Sequence, residues 1–181
     1  DNRMPYDSIA DDIDMDGDMD LITVNRGNNI DPSDTITILF NDGGLSFENR
    51  MDFKVGKEPT SATIFDADND GDKDIATSNT MDDTFTLLVN DGSGLFSHAG
   101  TYFAGDRPQF VNSMDFDGGG WIDVLVSSSD SNTITFFRNK GGGSFEMFSY
   151  LNIGSYPYAI DIADFNSDGR NDLLLSSVNT N

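Results

Sequence analysis

The sequence predicts an all-β fold built from repeated four-stranded units, about three and a half of them, and three observations carry that prediction. The first is a fixed period. Pro59, Pro108 and Pro157 are spaced by 49 residues, and Gly56, Gly105 and Gly154 each stand three residues earlier. Asn41, Asn90 and Asn139 keep the same step, each followed six residues later by a phenylalanine (Phe47, Phe96, Phe145). The second is that short apolar runs recur between Gly, Asn and Asp, as strands bounded by turns do, and no segment carries a competing helical period. The third is an acidic stretch in constant register: Pro5, Pro59, Pro108 and Pro157 are each followed seven residues later by Asp12, Asp66, Asp115 and Asp164.

Each unit reads in the same order. A first strand precedes the acidic stretch, as in SATIF (61–65), and a second follows it, as in DIATS, DVLVSS and DLLLSS. The third strand alternates β-branched and aromatic residues (TITILF, TFTLLV, TITFFR), and a Gly-rich turn then leads to a fourth that starts near the phenylalanine. A repeat of this length with four strands is the pattern of a β-propeller blade. The units run over residues 1–56, 57–105, 106–154 and 155–181, the last incomplete, and together make one partial propeller domain. The first interval is 54 rather than 49 because five extra residues lie in RGNNIDPSD, which reads as a loop insertion. Residue 181 falls where a third strand should begin, so the expectation is a piece of a longer chain, or a ring completed by another subunit.

Composition narrows the function classes. At 36% hydrophobic and 11% aromatic residues the chain is too apolar for a disordered acidic tail. A net charge of −22 argues against nucleic acid and against anionic membranes as direct partners. There is no Cys and only one His, His98, which removes disulfides, thiolate chemistry and multi-His zinc sites. No apolar run reaches the ~20 residues of a membrane span, and DNRMPYDS does not resemble a signal peptide. Of 32 acids only Glu48, Glu58 and Glu146 are Glu, so Asp has been selected for its short reach rather than for charge alone.

The aspartates cluster. Six fall within ten residues, Asp11 to Asp20, where like charges repel and raise one another's pKa values unless a cation sits among them. In register, the four loops are DIDMDGDMD (12–20), DADNDGDKD (66–74), DFDGGGWID (115–123) and DFNSDGRND (164–172). Asp or Asn stands at positions 1, 3 and 5, Gly at 6 and Asp at 9. A Gly at 6 lets the backbone curl so that positions 1, 3 and 5 converge, and oxygens from positions 7 and 9 complete a hard shell suited to Ca²⁺. The candidate ligands are Asp12, Asp14, Asp16, Asp18 and Asp20; Asp66, Asp68, Asp70, Asp72 and Asp74; Asp115, Asp117, Trp121 and Asp123; and Asp164, Asn166, Asp168, Arg170 and Asp172. Asp18, Asp72, Trp121 and Arg170, at position 7, act through the backbone carbonyl. Loop 115–123 is the weakest, since Gly119 offers no side chain at position 5. An EF-hand is excluded, because position 12 is Thr23, Thr77, Val126 or Leu175 inside a strand rather than Glu.

The D-x-D-x-D-G-x-x-D loops, the Asn90-to-Phe96 turn and the Gly105-to-Pro108 step together resemble the FG-GAP/VCBS repeats, which also build the integrin α-subunit propeller. The resemblance covers essentially the whole chain. It implies a propeller with Ca²⁺ bracing the loop between the first two strands of each blade. It further implies a secreted or cell-surface protein that recognises a protein or glycan ligand on one propeller face. The absence of Cys favours a microbial relative.

The leading expectation is thus a non-catalytic, calcium-stabilised extracellular module for adhesion or ligand recognition. One alternative is a scaffold or catalytic part of a polysaccharide-active enzyme, for which the candidate groups are His98, Tyr102, Arg107, Tyr150, Tyr156 and Tyr158. Another is a lectin, with Trp121 stacking on a sugar. Arg26-Gly27-Asn28 resembles an integrin-binding tripeptide but lacks its Asp.

Overall fold

Alternating short strands and tight turns produce four antiparallel sheets in the structure, a computed structural model that describes residues 4–28, 30–154 and 156–178. The first sheet holds β1 (Pro5–Asp11), β2 (Asp20–Gly27), β3 (Pro32–Phe40) and β4 (Asn49–Lys54). The second holds β5 (Pro59–Phe65), β6 (Asp74–Asn79), β7 (Thr84–Asn90) and β8 (Phe96–Phe103). The third holds β9 (Pro108–Met114), β10 (Asp123–Ser128), β11 (Thr133–Asn139) and β12 (Phe145–Asn152), and the fourth pairs β13 (Pro157–Ala163) with β14 (Asp172–Ser177). Within each sheet the strands lie in chain order, as in a propeller blade. The fold is all-β, with no helix among the described residues.

The core lies between blades rather than within them. Ile22, Ile36 and Ile38 of the first sheet pack with Ile75, Leu88 and Phe96 of the second. Phe85 and Leu87 of the second pack with Val111, Val124, Phe137 and Phe145 of the third. Leu125 and Ile134 meet Ile160 of the fourth. The first strands β1, β5, β9 and β13 touch in succession, which makes them the inner strands. On β1 and β13, Tyr6 and Tyr158 meet through their hydroxyls. The fourth strands β4, β8 and β12 are mostly exposed, the outer rim.

Two sequence expectations change here. The five extra residues do not make a longer loop: they lengthen the β2–β3 hairpin, whose ladder runs out to Gly27 opposite Pro32. Asn29, inside that insertion, lies outside the described residues, as do residue 155 and residues 179–181 of the fourth unit. Phe96 and Phe145 open β8 and β12 and are buried, whereas β4 starts two residues after Phe47, which is 37% exposed. The reason is packing. Phe96 and Phe145 fill the seams between consecutive sheets, and no seam covers Phe47.

Candidate metal centres in the acidic loops

Each acidic loop joins the inner strand of a blade to its second strand, and a repeated set of hydrogen bonds curls it. The position-1 carboxylate accepts the N–H of the position-6 glycine: Gly17 to Asp12 at 3.0 Å, Gly71 to Asp66 at 3.1 Å, Gly120 to Asp115 and Gly169 to Asp164 at 2.8 Å. Position 3 accepts from the position-5 N–H in all four loops, at 2.8–3.3 Å. Position 5 accepts from the position-7 N–H at 2.9 Å in three, the exception being Gly119, which has no side chain to offer. Position 6 is left-handed, with φ of 82–97°, which needs glycine. Position 4 is left-handed as well (Met15, Asn69, Gly118, Ser167), a second kink that the sequence pattern does not announce.

Position 9, expected as a carboxylate ligand, also ties the loop to the backbone. Asp20, Asp74 and Asp123 are buried, and both oxygens of each are engaged. One accepts the N–H of position 2 (Ile13 at 2.9 Å, Ala67 at 2.7 Å, Phe116 at 3.2 Å). The other accepts the N–H of the asparagine that ends the third strand or, for Asn41, directly follows it (Asn41 and Asn90 at 2.9 Å, Asn139 at 2.8 Å). Asp172 is half-buried and accepts from Phe165 at 3.1 Å. Each of these oxygens keeps a lone pair, so a cation is still within its capacity.

The loops bring their carboxylates together. Oxygens of Asp12, Asp14 and Asp20, of Asp66, Asp68 and Asp70, and of Asp115, Asp117 and Asp123 each lie within 4.8 Å of one another, close enough to hold a metal ion. Burial, reinforced by neighbouring carboxylates, raises Asp14 and Asp68 above the usual carboxylate range. Burial also raises Asp123, and pushes Asp74 up to about 6. Backbone N–H groups, those of Gly120 and Gly169 first, hold Asp115 and Asp164 below it.

One atom tests whether these loops fit a cation. Asp12 Oδ1 and Asp66 Oδ1, on carboxylates that belong to the clusters, are buried and have no hydrogen-bond partner. Such an oxygen costs about 1–3 kcal/mol unless something meets it. In loop 164–172 the matching oxygen accepts the Asp168 N–H at 3.0 Å. In loop 115–123 it accepts two, from Gly118 at 2.8 Å and Gly119 at 3.1 Å. Loops 12–20 and 66–74 therefore fit a metal ion best.

The position-7 side chains lean away from the cluster. A Cβ added to Gly43 would sit 3.3 Å from Asp18, one on Gly92 2.7 Å from Asp72, and one on Gly141 3.1 Å from the Trp121 ring. Trp121 is half-buried and covers that glycine. Of the polar groups considered for catalysis, Tyr102 stacks on Phe85 at 4.8 Å in the core, and His98 sits exposed on β8 against Thr101. Arg107 pairs with Asp130 at 3.9 Å; Tyr150 and Tyr156 are exposed, and the Tyr6 hydroxyl pushes Tyr158 up to about 12. Arg26 is 3.7 Å from Glu58 and lies over the Tyr6 ring.

The asparagines are functional residues whose periodicity was visible but whose role was not. Asn90 Nδ2 donates to Ile13 O of the preceding blade's loop at 2.8 Å, and Asn139 Nδ2 does the same to Ala67 O at 2.7 Å. Asn90 Oδ1 also accepts the N–H of Gly92 and Gly94. Among the described residues Asn41 Nδ2 donates to Met19 O, within its own blade, and its Oδ1 is buried without a partner. Asn90→Ala is therefore expected to cost about 2–4 kcal/mol and Asn41→Ala about 1 kcal/mol, read from urea denaturation of the two variants. Equal costs would show that the bond between blades carries nothing.

A comparison with curated proteins finds no match. No helix of the described residues is long and apolar enough to cross a membrane. A family model described as the FG-GAP-like repeat matches residues 12–77 and 115–175, segments that begin at position 1 of the first and third acidic loops and together span more than half of the chain. With four blade-like sheets carrying one such loop each, the chain belongs to the FG-GAP-like repeat family.

Proposed function

We propose that this chain is a calcium-stabilised, non-catalytic recognition module that works outside the cell. The observation that carries the calcium assignment is the pair of unpartnered buried oxygens, Asp12 Oδ1 and Asp66 Oδ1, each on a carboxylate that belongs to a cluster of three. An all-oxygen donor set on a short flexible loop suits Ca²⁺ better than Mg²⁺, which demands near-ideal octahedral geometry and keeps its water. Asp12, Asp14, Asp16 and Asp20, and Asp66, Asp68, Asp70 and Asp74, would hold the ion, with the carbonyls of Asp18 and Asp72. Bound there, it supplies charge compensation and rigidity rather than chemistry. Loops of this kind bind at about 10⁻⁴–10⁻³ M, so they fill at extracellular calcium.

The end of the blades opposite the acidic loops offers the recognition surface. Glu58, Arg107 and Tyr156 lie there in left-handed backbone just before β5, β9 and β13, and Glu58 and Arg107 line a cleft with Arg26, Met81 and Asp83. Mixed charge, exposed aromatics and strained backbone on loops carried by a rigid scaffold favour a protein or glycan ligand. Further blades, from the same chain or another subunit, complete the ring in this reading. Calorimetric titration is the test: Ca²⁺ binds, Mg²⁺ at equal concentration does not, and Asp12→Ala with Asp66→Ala removes the strongest heats. Protein and glycan arrays probed with and without calcium then look for a ligand, with Arg107→Ala as the surface control. Absence of calcium heats in the wild type ends the assignment.

A further inference from the structure

We infer that the third acidic loop is closed by an arginine of its own blade instead of a metal ion. Two departures from the repeat occur together in that blade. Gly119 removes the position-5 side chain, and Arg138 replaces the apolar residue found at the end of the third strand in the other complete blades, Phe40 and Val89. The structure places the two changes at one site. Arg138 Nε is buried 2.7 Å from Asp117 Oδ2, an ion pair by distance whose N–H is not aligned for a hydrogen bond. The guanidinium lies over the Phe148 ring, 4.0 Å from its centroid, so an aromatic face holds the cation from the other side.

The loop's oxygens match this closure. Asp115 spends both on three backbone N–H groups, those of Gly118, Gly119 and Gly120, and leaves no orphan like Asp12 Oδ1 or Asp66 Oδ1. The charges agree as well. Loops 12–20 and 66–74 carry five carboxylates each, whereas loop 115–123 carries three and gains a fixed positive charge. A guanidinium stays protonated at any physiological pH and is weakly hydrated, so it offsets one of the three carboxylate charges regardless of calcium concentration. The third blade is thereby a calcium-independent neighbour of the second, whose loop depends on the ion.

The inference rests on calcium filling loops 12–20 and 66–74, and amide hydrogen exchange separates the two ideas. In the wild type, moving from calcium to chelator speeds exchange at Gly17 and Gly71 by about tenfold or more, while Gly118 to Gly120 change by less than about twofold. If Gly17 and Gly71 do not respond, the calcium assignment fails. If they respond and Gly118 to Gly120 respond equally, the arginine closure is overturned. Arg138→Val, the residue already present at Val89, should release Gly118 to Gly120 by about tenfold in chelator. Unchanged exchange there overturns the role given to Arg138. Gly119→Asp combined with Arg138→Val should make the loop calcium-responsive, and a folded double variant that stays indifferent also overturns it. The wild-type measurement does not depend on either variant folding.

Discussion

Transfer from millimolar calcium into chelator lowers the melting temperature by roughly 6–12 °C. Each of the two best-furnished loops, at calcium about ten times its dissociation constant, adds about 1.4 kcal/mol to the folded state, so the pair adds about 3 kcal/mol. At this chain length each kcal/mol moves the midpoint by about 2–4 °C. The same scan gives a pH signature. Asp14, Asp68, Asp74 and Asp123 sit above their ordinary values, Asp74 at about 6. In the ion-free protein the folded state therefore takes up protons more readily than the unfolded chain, and stability rises as pH falls from 7 through about 6 and levels off near the ordinary carboxylate value. Calcium reverses the order, because protons then compete with the ion. A melting curve indifferent to chelator, with no gain on mild acidification, removes the metal from the account.

Asp74→Ala is the most damaging single substitution expected. Its carboxylate is fully buried and holds two backbone amides, Ala67 at 2.7 Å and Asn90 at 2.9 Å. Truncation strands both donors inside the protein and opens a ligand of the second loop, for a loss of about 3–5 kcal/mol. Asp123→Ala strands the equivalent amides of Phe116 and Asn139 in the loop closed by Arg138. It should cost a similar amount, equally with and without calcium, whereas part of the Asp74→Ala loss should vanish in chelator. Denaturant midpoints of both variants under the two conditions decide this. A cost below about 1 kcal/mol for Asp74→Ala would mean that water reaches those amides.

The fold was legible because each blade repeats the same instructions at constant spacing. A proline opens the inner strand, an acidic turn follows it, and an asparagine ends the third strand. The convergence of positions 1 and 3 was legible for the same reason, since Gly17 and Gly71 permit a tight curl; position 5 joins them in loop 66–74, and position 9 in loops 12–20 and 115–123. What escaped were relations between blades. Asn90 reaching Ile13 crosses 77 residues, and no local pattern encodes which carbonyl a side chain meets after the sheets pack. The second part played by position 9 escaped because its two amide donors come from Ala67 and Asn90, one at either side in the chain. Arg138 did leave a signal: it breaks an apolar register in the one blade whose loop also loses its position-5 side chain.

Ile13 and Ala67 each stand at a crossroads, donating an N–H to their own blade's buried aspartate while offering a carbonyl to the following blade's asparagine. Strain in either acidic loop therefore reaches the next blade's sheet through that one residue. A substitution that loosens either turn is then felt in two blades at once, its own and the following one.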